Sequence, residues 1–164
     1  MSGTVGQKAF YRHPDLANYS HQIAGTKVKK KGASMLFNRD FKLFYYCFLI
    51  GVKHEYRAKY KTDELKAMYK YFPDDFNSNE KFQIIALLIS AYMEDTGLKL
   101  SKKEDLEEIM DKLLDVNSGE FLSEEGFKRI NEYALGGFLK LKETYQYPEE
   151  NVFKGIEKIL DLLL

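Results

Sequence analysis

The sequence predicts an all-α protein: a compact bundle of about five to six helices around two apolar central helices, with a basic N-terminal arm. Three observations carry this. The 164 residues include three prolines, Pro14, Pro73 and Pro148, so long stretches are free to be helical. Two segments, 41–52 and 82–93, are apolar around almost the whole helical circumference, as buried helices are. Three later segments repeat apolar residues at helical spacing on one face only, and no convincing hairpin signal appears.

Taken in order, residues 1–36 are polar, basic and punctuated by glycine, and they are set apart as a partly flexible arm. Residues 37–164 are expected to form a single helical domain. Asn38 or Asp40 caps the first helix, which should run to about Arg57. A buried strand competes for its aromatic run, but the length and the polar continuation favour the helix. Thr62, followed by Asp63 and Glu64, reads as the cap of a short helix ending near Tyr71 and Pro73. Residues 74–79 form a loop, and Ser78 or Asn79 caps the second central helix, which Gly97 terminates. Ser101 and Glu104 make a capping box for a helix whose stripe is Leu106, Ile109, Met110, Leu113 and Leu114. Ser123 opens the next helix, with Phe127, Ile130, Ala134, Phe138, Leu141 and Tyr145 on one face. Pro148 opens the last, with Phe153, Ile156, Leu160 and Leu163 as its stripe.

Charge is divided along the chain. Residues 1–61 hold 12 basic and 3 acidic side chains; residues 62–164 hold 13 and 22. The net charge of zero therefore hides a surplus of nine of each sign, which excludes a uniformly basic nucleic-acid binder and a uniformly acidic disordered chain. An apolar fraction of 45% is enough for a packed core. A single cysteine, Cys47, excludes an internal disulfide framework and fits a reducing cytosol. The longest apolar run, 43–52, is about half of the ~20 residues a membrane span needs, and no signal peptide is read. The expectation is a cytoplasmic protein that does not enter membranes.

No set of residues reads as catalytic. Cys47 and His54 stand two helical turns apart, roughly 10 Å along the axis, too far to share one ion. The carboxylates of residues 104–111 fill the solvent faces beside an apolar stripe, and Asp74, Asp75, Asn77 and Asn79 lack the glycine and bidentate glutamate of a calcium loop. No phosphate-binding glycine loop or nucleophile elbow is present. Neither cofactor nor metal is expected. Gly136 and Gly137 do call for a reason, since each costs about 1 kcal/mol in a helix relative to alanine. Close approach of another helix, a kink, or docking of a partner would each supply one. Two basic clusters are candidate nucleic-acid or partner contacts: Lys27, Lys29, Lys30 and Lys31, then Lys53, Arg57, Lys59 and Lys61 interleaved with Tyr56 and Tyr60. A solvated helix end, or docking of the basic half on the acidic half within or between copies, explains the same residues.

Two segments together have a familiar look: Leu43–Arg57 (LFYYCFLIGVKHEYR) and Ile130–Glu143 (INEYALGGFLKLKE), with an apolar helix between them. Over about residues 35–145 this order resembles the small DNA phosphorothioation-associated proteins known as protein 4 of the Dnd-associated set. The resemblance implies a bacterial gene cluster that modifies DNA and restricts foreign DNA, and an accessory role beside ATPases or nucleases. It carries no catalytic residues. The expected function is thus a non-catalytic accessory or adaptor subunit of a DNA-modification or antiphage defence system, acting through protein–protein contacts. The alternative is a small nucleic-acid-binding module using the basic N-terminal half; self-association is compatible with either.

Overall fold

Among the described residues five α-helices make up most of the structure, with a two-stranded sheet beside them, in a computed structural model that describes residues 8–16, 40–144 and 152–164. In chain order the elements are β1 (Phe10–Arg12), α1 (Asp40–Lys53), β2 (Lys66–Tyr69), a 3-10 turn (Asp74–Phe76), α2 (Asn79–Thr96), α3 (Lys103–Leu113), α4 (Glu124–Thr144) and α5 (Val152–Leu163). The fold is mostly helical, as expected, and the pairing of β1 with β2 adds a small sheet to it. The short helix expected from Thr62 to Tyr71 is instead a turn followed by β2. Fewer than ten residues cannot repay helix nucleation without a buried face, and Lys66 and Ala67 are exposed. Within residues 8–16, the described part of the expected arm, Ala9, Phe10, Tyr11 and Leu16 are buried. Four apolar side chains in nine residues were enough to draw that stretch into the core.

Contacts divide the chain into two compact units, one of Met1–Phe10 and Ala67–Ile130, the other of Tyr11–Lys66 and Asn131–Leu164.

In the second unit α1 is the central element. Phe41, Leu43, Phe44, Cys47, Phe48 and Ile50 are buried, and the helix packs on α5 and on the C-terminal half of α4. It ends at Lys53, four residues before the expected Arg57. The reason is a left-handed C-cap. Glu55 has φ 50°; its N–H donates to Val52 O at 3.1 Å, and the N–H of Tyr56 donates to Gly51 O at 2.9 Å. This pair of bonds closes the helix end, and residues 56–61 leave it to run across α4, where Ala58 N–H donates to Glu132 O. A left-handed non-glycine residue costs about 1–2 kcal/mol, so Glu55→Gly is expected to raise the urea-unfolding stability by about 1 kcal/mol.

The last helix buries Gly155, Ile159 and Leu162, whereas Ile156 and Leu163 are half-buried and Leu160 is exposed. This corrects the predicted stripe by one helical position. Ile159, Leu160, Leu162 and Leu163 are all apolar, so two registers fit the sequence, and Gly155 lies on the buried one. His54 Nε2 donates to Leu162 O at 2.8 Å, tying the end of α5 to the end of α1. Pro148 and Tyr145 lie outside the described residues.

In the first unit α2 runs from Ser78 to Gly97 as read from the sequence; Gly97 adopts φ 75° and its N–H donates to Met93 O. One face of α2 is buried through Ile84, Ile85, Leu88, Ala91 and Tyr92 and packs on α3, but Phe82 is 56% exposed, so this helix is amphipathic rather than apolar all round. The predicted capping box at Ser101 is absent: α3 is preceded by Lys102, and Asp105 reaches back to accept the N–H of Lys99 at 2.9 Å. Ile109 and Leu113 are fully buried, whereas Leu106 and Met110 are partly exposed at the edge of the stripe. Ser123 caps α4 as expected, its Oγ accepting the N–H of Gly126 at 3.0 Å. Phe10 closes this core edge-on against Phe72 at 4.9 Å and tilted against Phe127 at 5.0 Å.

Candidate interaction surfaces

The second unit is organised by a glycine crossing. A Cβ on Gly137 would fall on the carbonyl oxygen of Cys47, with the Cys47 carbonyl carbon and the Gly51 nitrogen each at 2.7 Å. A Cβ on Gly51 would fall on Tyr133 O, and one on Gly136 on Tyr56 O. The residue α1 offers α4 is therefore glycine on both sides, and the backbones meet where side chains usually stand between them. The helix α4 continues through both glycines. The two segments behind the family resemblance are the two sides of this crossing.

The crossing also decides what the second basic cluster can do. Arg57 donates from Nη1 to Glu132 Oε2 at 2.8 Å, beside a carboxylate whose side chain is only 5% exposed, and its guanidinium lies 5.8 Å from the Tyr133 ring centre. Asn131, also buried, accepts the N–H of Tyr11 and donates to the hydroxyl of Tyr60, whose ring stands 6.2 Å from that of Tyr11. Arg57 and Tyr60 thus hold the 56–61 segment to α4. Lys53, Lys59 and Lys61 are exposed, with the half-exposed ring of Tyr56 among them. Lys27, Lys29, Lys30 and Lys31 lie outside the described residues.

Beside the crossing, His13 and Cys47 line a small recess with Tyr11, Arg12, Leu16, Phe44 and Phe138. The N–H of Asp15 donates to His13 Nδ1 at 3.1 Å, and Lys142 pairs with Asp15 at 2.7 Å. Burial holds the His13 imidazolium below its ordinary 6.5; the Asp15 carboxylate opposes this and the Lys142 ammonium adds to it. The folded chain therefore binds this proton less readily than the unfolded one, which takes up more protons as pH falls through 6.5. Stability should therefore decline in urea titrations from pH 7.5 to 5.5, and His13→Leu should flatten that decline. Burial also pushes the Cys47 thiol far up, which removes its thiolate. Among the described residues no group of three or more His, Cys, Asp or Glu could hold a metal ion, and no helix is long and apolar enough to cross a membrane.

The first unit presents a surface that the sequence reading placed in the core or passed over. Phe82 and Phe121 stand 5.9 Å apart, 56% and 37% exposed, at the start of α2 and in the loop before α4. Tyr71, 65% exposed, precedes Phe72, whose N–H donates to Glu120 Oε2 at 2.8 Å. Beneath the pair lies a buried cation. Lys81 donates to Asn77 Oδ1 at 2.7 Å and to Gly119 O at 3.2 Å, with its Nζ 5.5 Å from the Phe121 ring centre and 5.9 Å from that of Phe72. Phe121 itself has φ 57°, a conformation that costs a bulky residue about 1–2 kcal/mol. The loop has a glycine at 119, two positions away from where the left-handed turn falls. The one signal available in the sequence is the place of Phe82 in the chain, directly after Glu80 and Lys81 in the polar first turn of its helix.

Searches of family models, curated proteins and solved structures find no match to this chain.

Proposed function

We propose that the chain is a non-catalytic adaptor subunit, working through protein–protein contacts in a bacterial DNA-modification or antiphage defence system. The observation that carries the adaptor reading is the aromatic surface of the first unit: Phe82 and Phe121 exposed side by side, with Phe121 held in a costly backbone conformation. Exposed apolar groups gathered in one place mark interaction sites, and backbone strain gathers where function requires a side chain to point outward. The setting rests on the resemblance of the Leu43–Arg57 and Ile130–Glu143 segments. The test is purification of a tagged chain from its native cell. A stoichiometric companion encoded beside it is expected, and it should be lost with Phe82→Ser. A clean monomer would count against the reading.

The three exposed lysines favour one second reading, a nucleic-acid-binding module built on the basic half. Lys53 ends α1, and Lys59 and Lys61 follow it in the segment that leaves the helix. On that reading, binding to DNA of any sequence appears at low salt and falls steeply as salt rises, and the triple change to Gln reduces the salt slope. Absence of binding in 20 mM salt, roughly the regime of long-range attraction, would end it.

A further inference from the structure

We propose that the aromatic surface of the first unit receives a cationic segment of the partner protein, with an arginine or lysine laid over the rings of Phe82 and Phe121. The inference rests on the adaptor reading and names the chemistry of the partner at that site. It is argued from three features. First, Phe121 already accepts a cation: the Lys81 ammonium sits within cation–π distance of Phe121 and Phe72 and donates to the carbonyl oxygens of Asn77 and Gly119. Phe121 and its neighbour Phe82 remain 37% and 56% exposed. Second, the surroundings are negative. Asp74, Asp75 and Glu80 are exposed in the eight residues before Phe82, and the unit as a whole carries 14 acidic against 9 basic side chains. An incoming guanidinium would find rings to stack on and carboxylates to pair with, whereas an acidic or nucleic-acid ligand would meet like charge. Third, the outward placement of Phe121 is maintained against its backbone preference by bonds of its own loop: its N–H donates to Ser118 O and its carbonyl accepts from Asp115 N–H, each at 3.1 Å.

The experiment is a titration of the isotope-labelled full chain, followed by amide shifts, with a blocked decapeptide alternating arginine and leucine and with its glutamate counterpart. The arginine peptide is expected to shift amides of residues 71–83 and 115–122, and to bind at least tenfold more weakly at 500 mM than at 50 mM salt. Phe82→Ser and Phe121→Gly should each weaken it at least fivefold. Phe121→Gly also releases the left-handed strain, so it keeps the loop folded and separates loss of the ring from loss of structure. Equal shifts from the glutamate peptide, no shifts, or shifts that grow with protein concentration alone (a second copy as the occupant) would each overturn the proposal. If a native companion still depends on Phe82 while the arginine peptide fails to bind, the cationic chemistry is wrong and the adaptor reading stands; with no companion at all, the adaptor reading falls.

Discussion

Gly137→Ala should destabilise the second unit by about 3 kcal/mol or more, beyond the ordinary range for a single added methyl group. The added carbon would lie on the Cys47 carbonyl oxygen, with the Cys47 carbonyl carbon and Gly51 nitrogen closing the space behind it. All three are backbone atoms within α1, so no side chain can swing aside. Relief requires α1 and α4 to separate, and separation uncovers Phe48 and Tyr133, which meet edge-on at 6.3 Å. Gly51→Ala should behave alike, because its carbon would strike Tyr133 O from the opposite side. Gly119 supplies the control: a Cβ there meets nothing within 4 Å, and alanine should change stability by no more than about 0.5 kcal/mol. Urea unfolding, with hydrogen exchange resolved to α1 and the C-terminal half of α4, measures both. A Gly137→Ala protein as stable as the Gly119→Ala one would mean that the helices do not cross at these residues.

Arg57→Ala is the second large effect. It removes the cation from Glu132, a residue only 3% exposed, and leaves a carboxylate in surroundings that solvent hardly reaches. Breaking a buried pair in this way costs about 3–5 kcal/mol; Arg57 is 28% exposed on its own side, so about 2–3 kcal/mol is expected. Glu132→Gln should cost less, since the amide leaves no buried charge behind and Arg57 can turn to water. The double variant should then be more stable than Arg57→Ala alone, a positive coupling that a double-mutant cycle reads directly. If the two single changes simply add, the ion pair does not hold the 56–61 segment to α4.

How much of this was legible depended on whether a feature is local. The termination of α2 at Gly97, the Ser123 cap and the helical repeat of α4 are written in adjacent residues, and they stand where the sequence put them. The early end of α1 was hidden because its cap uses Glu55 in place of the glycine or asparagine that normally announces a left-handed turn. The strand in place of a helix at residues 66–69 depends on a partner more than fifty residues away, which no local pattern reveals. The same holds for Arg57. As one of a row of basic residues it read as a surface contact, and its role became visible only when α4 brought Glu132 to it. Gly136 and Gly137 call for an explanation from the sequence alone; the atoms they approach belong to α1 and to the segment just after it, 80 to 90 residues earlier. The aromatic surface was missed for a related reason. Apolar residues in a helical pattern were assigned to the core, but α2 needs only one face buried, and Phe82 lies off it.

The placement of Cys47 has a practical consequence. The chain has one thiol, it is 1% exposed, and it sits beside the glycine crossing at the centre of the second unit. A thiol reagent can reach it only when α1 pulls away from α4, so the rate of alkylation under native conditions becomes a clock for that opening. Since the first unit contains no cysteine, the clock is blind to its unfolding. The protein therefore carries a built-in reporter that times the opening of one unit, with no label added and no residue changed.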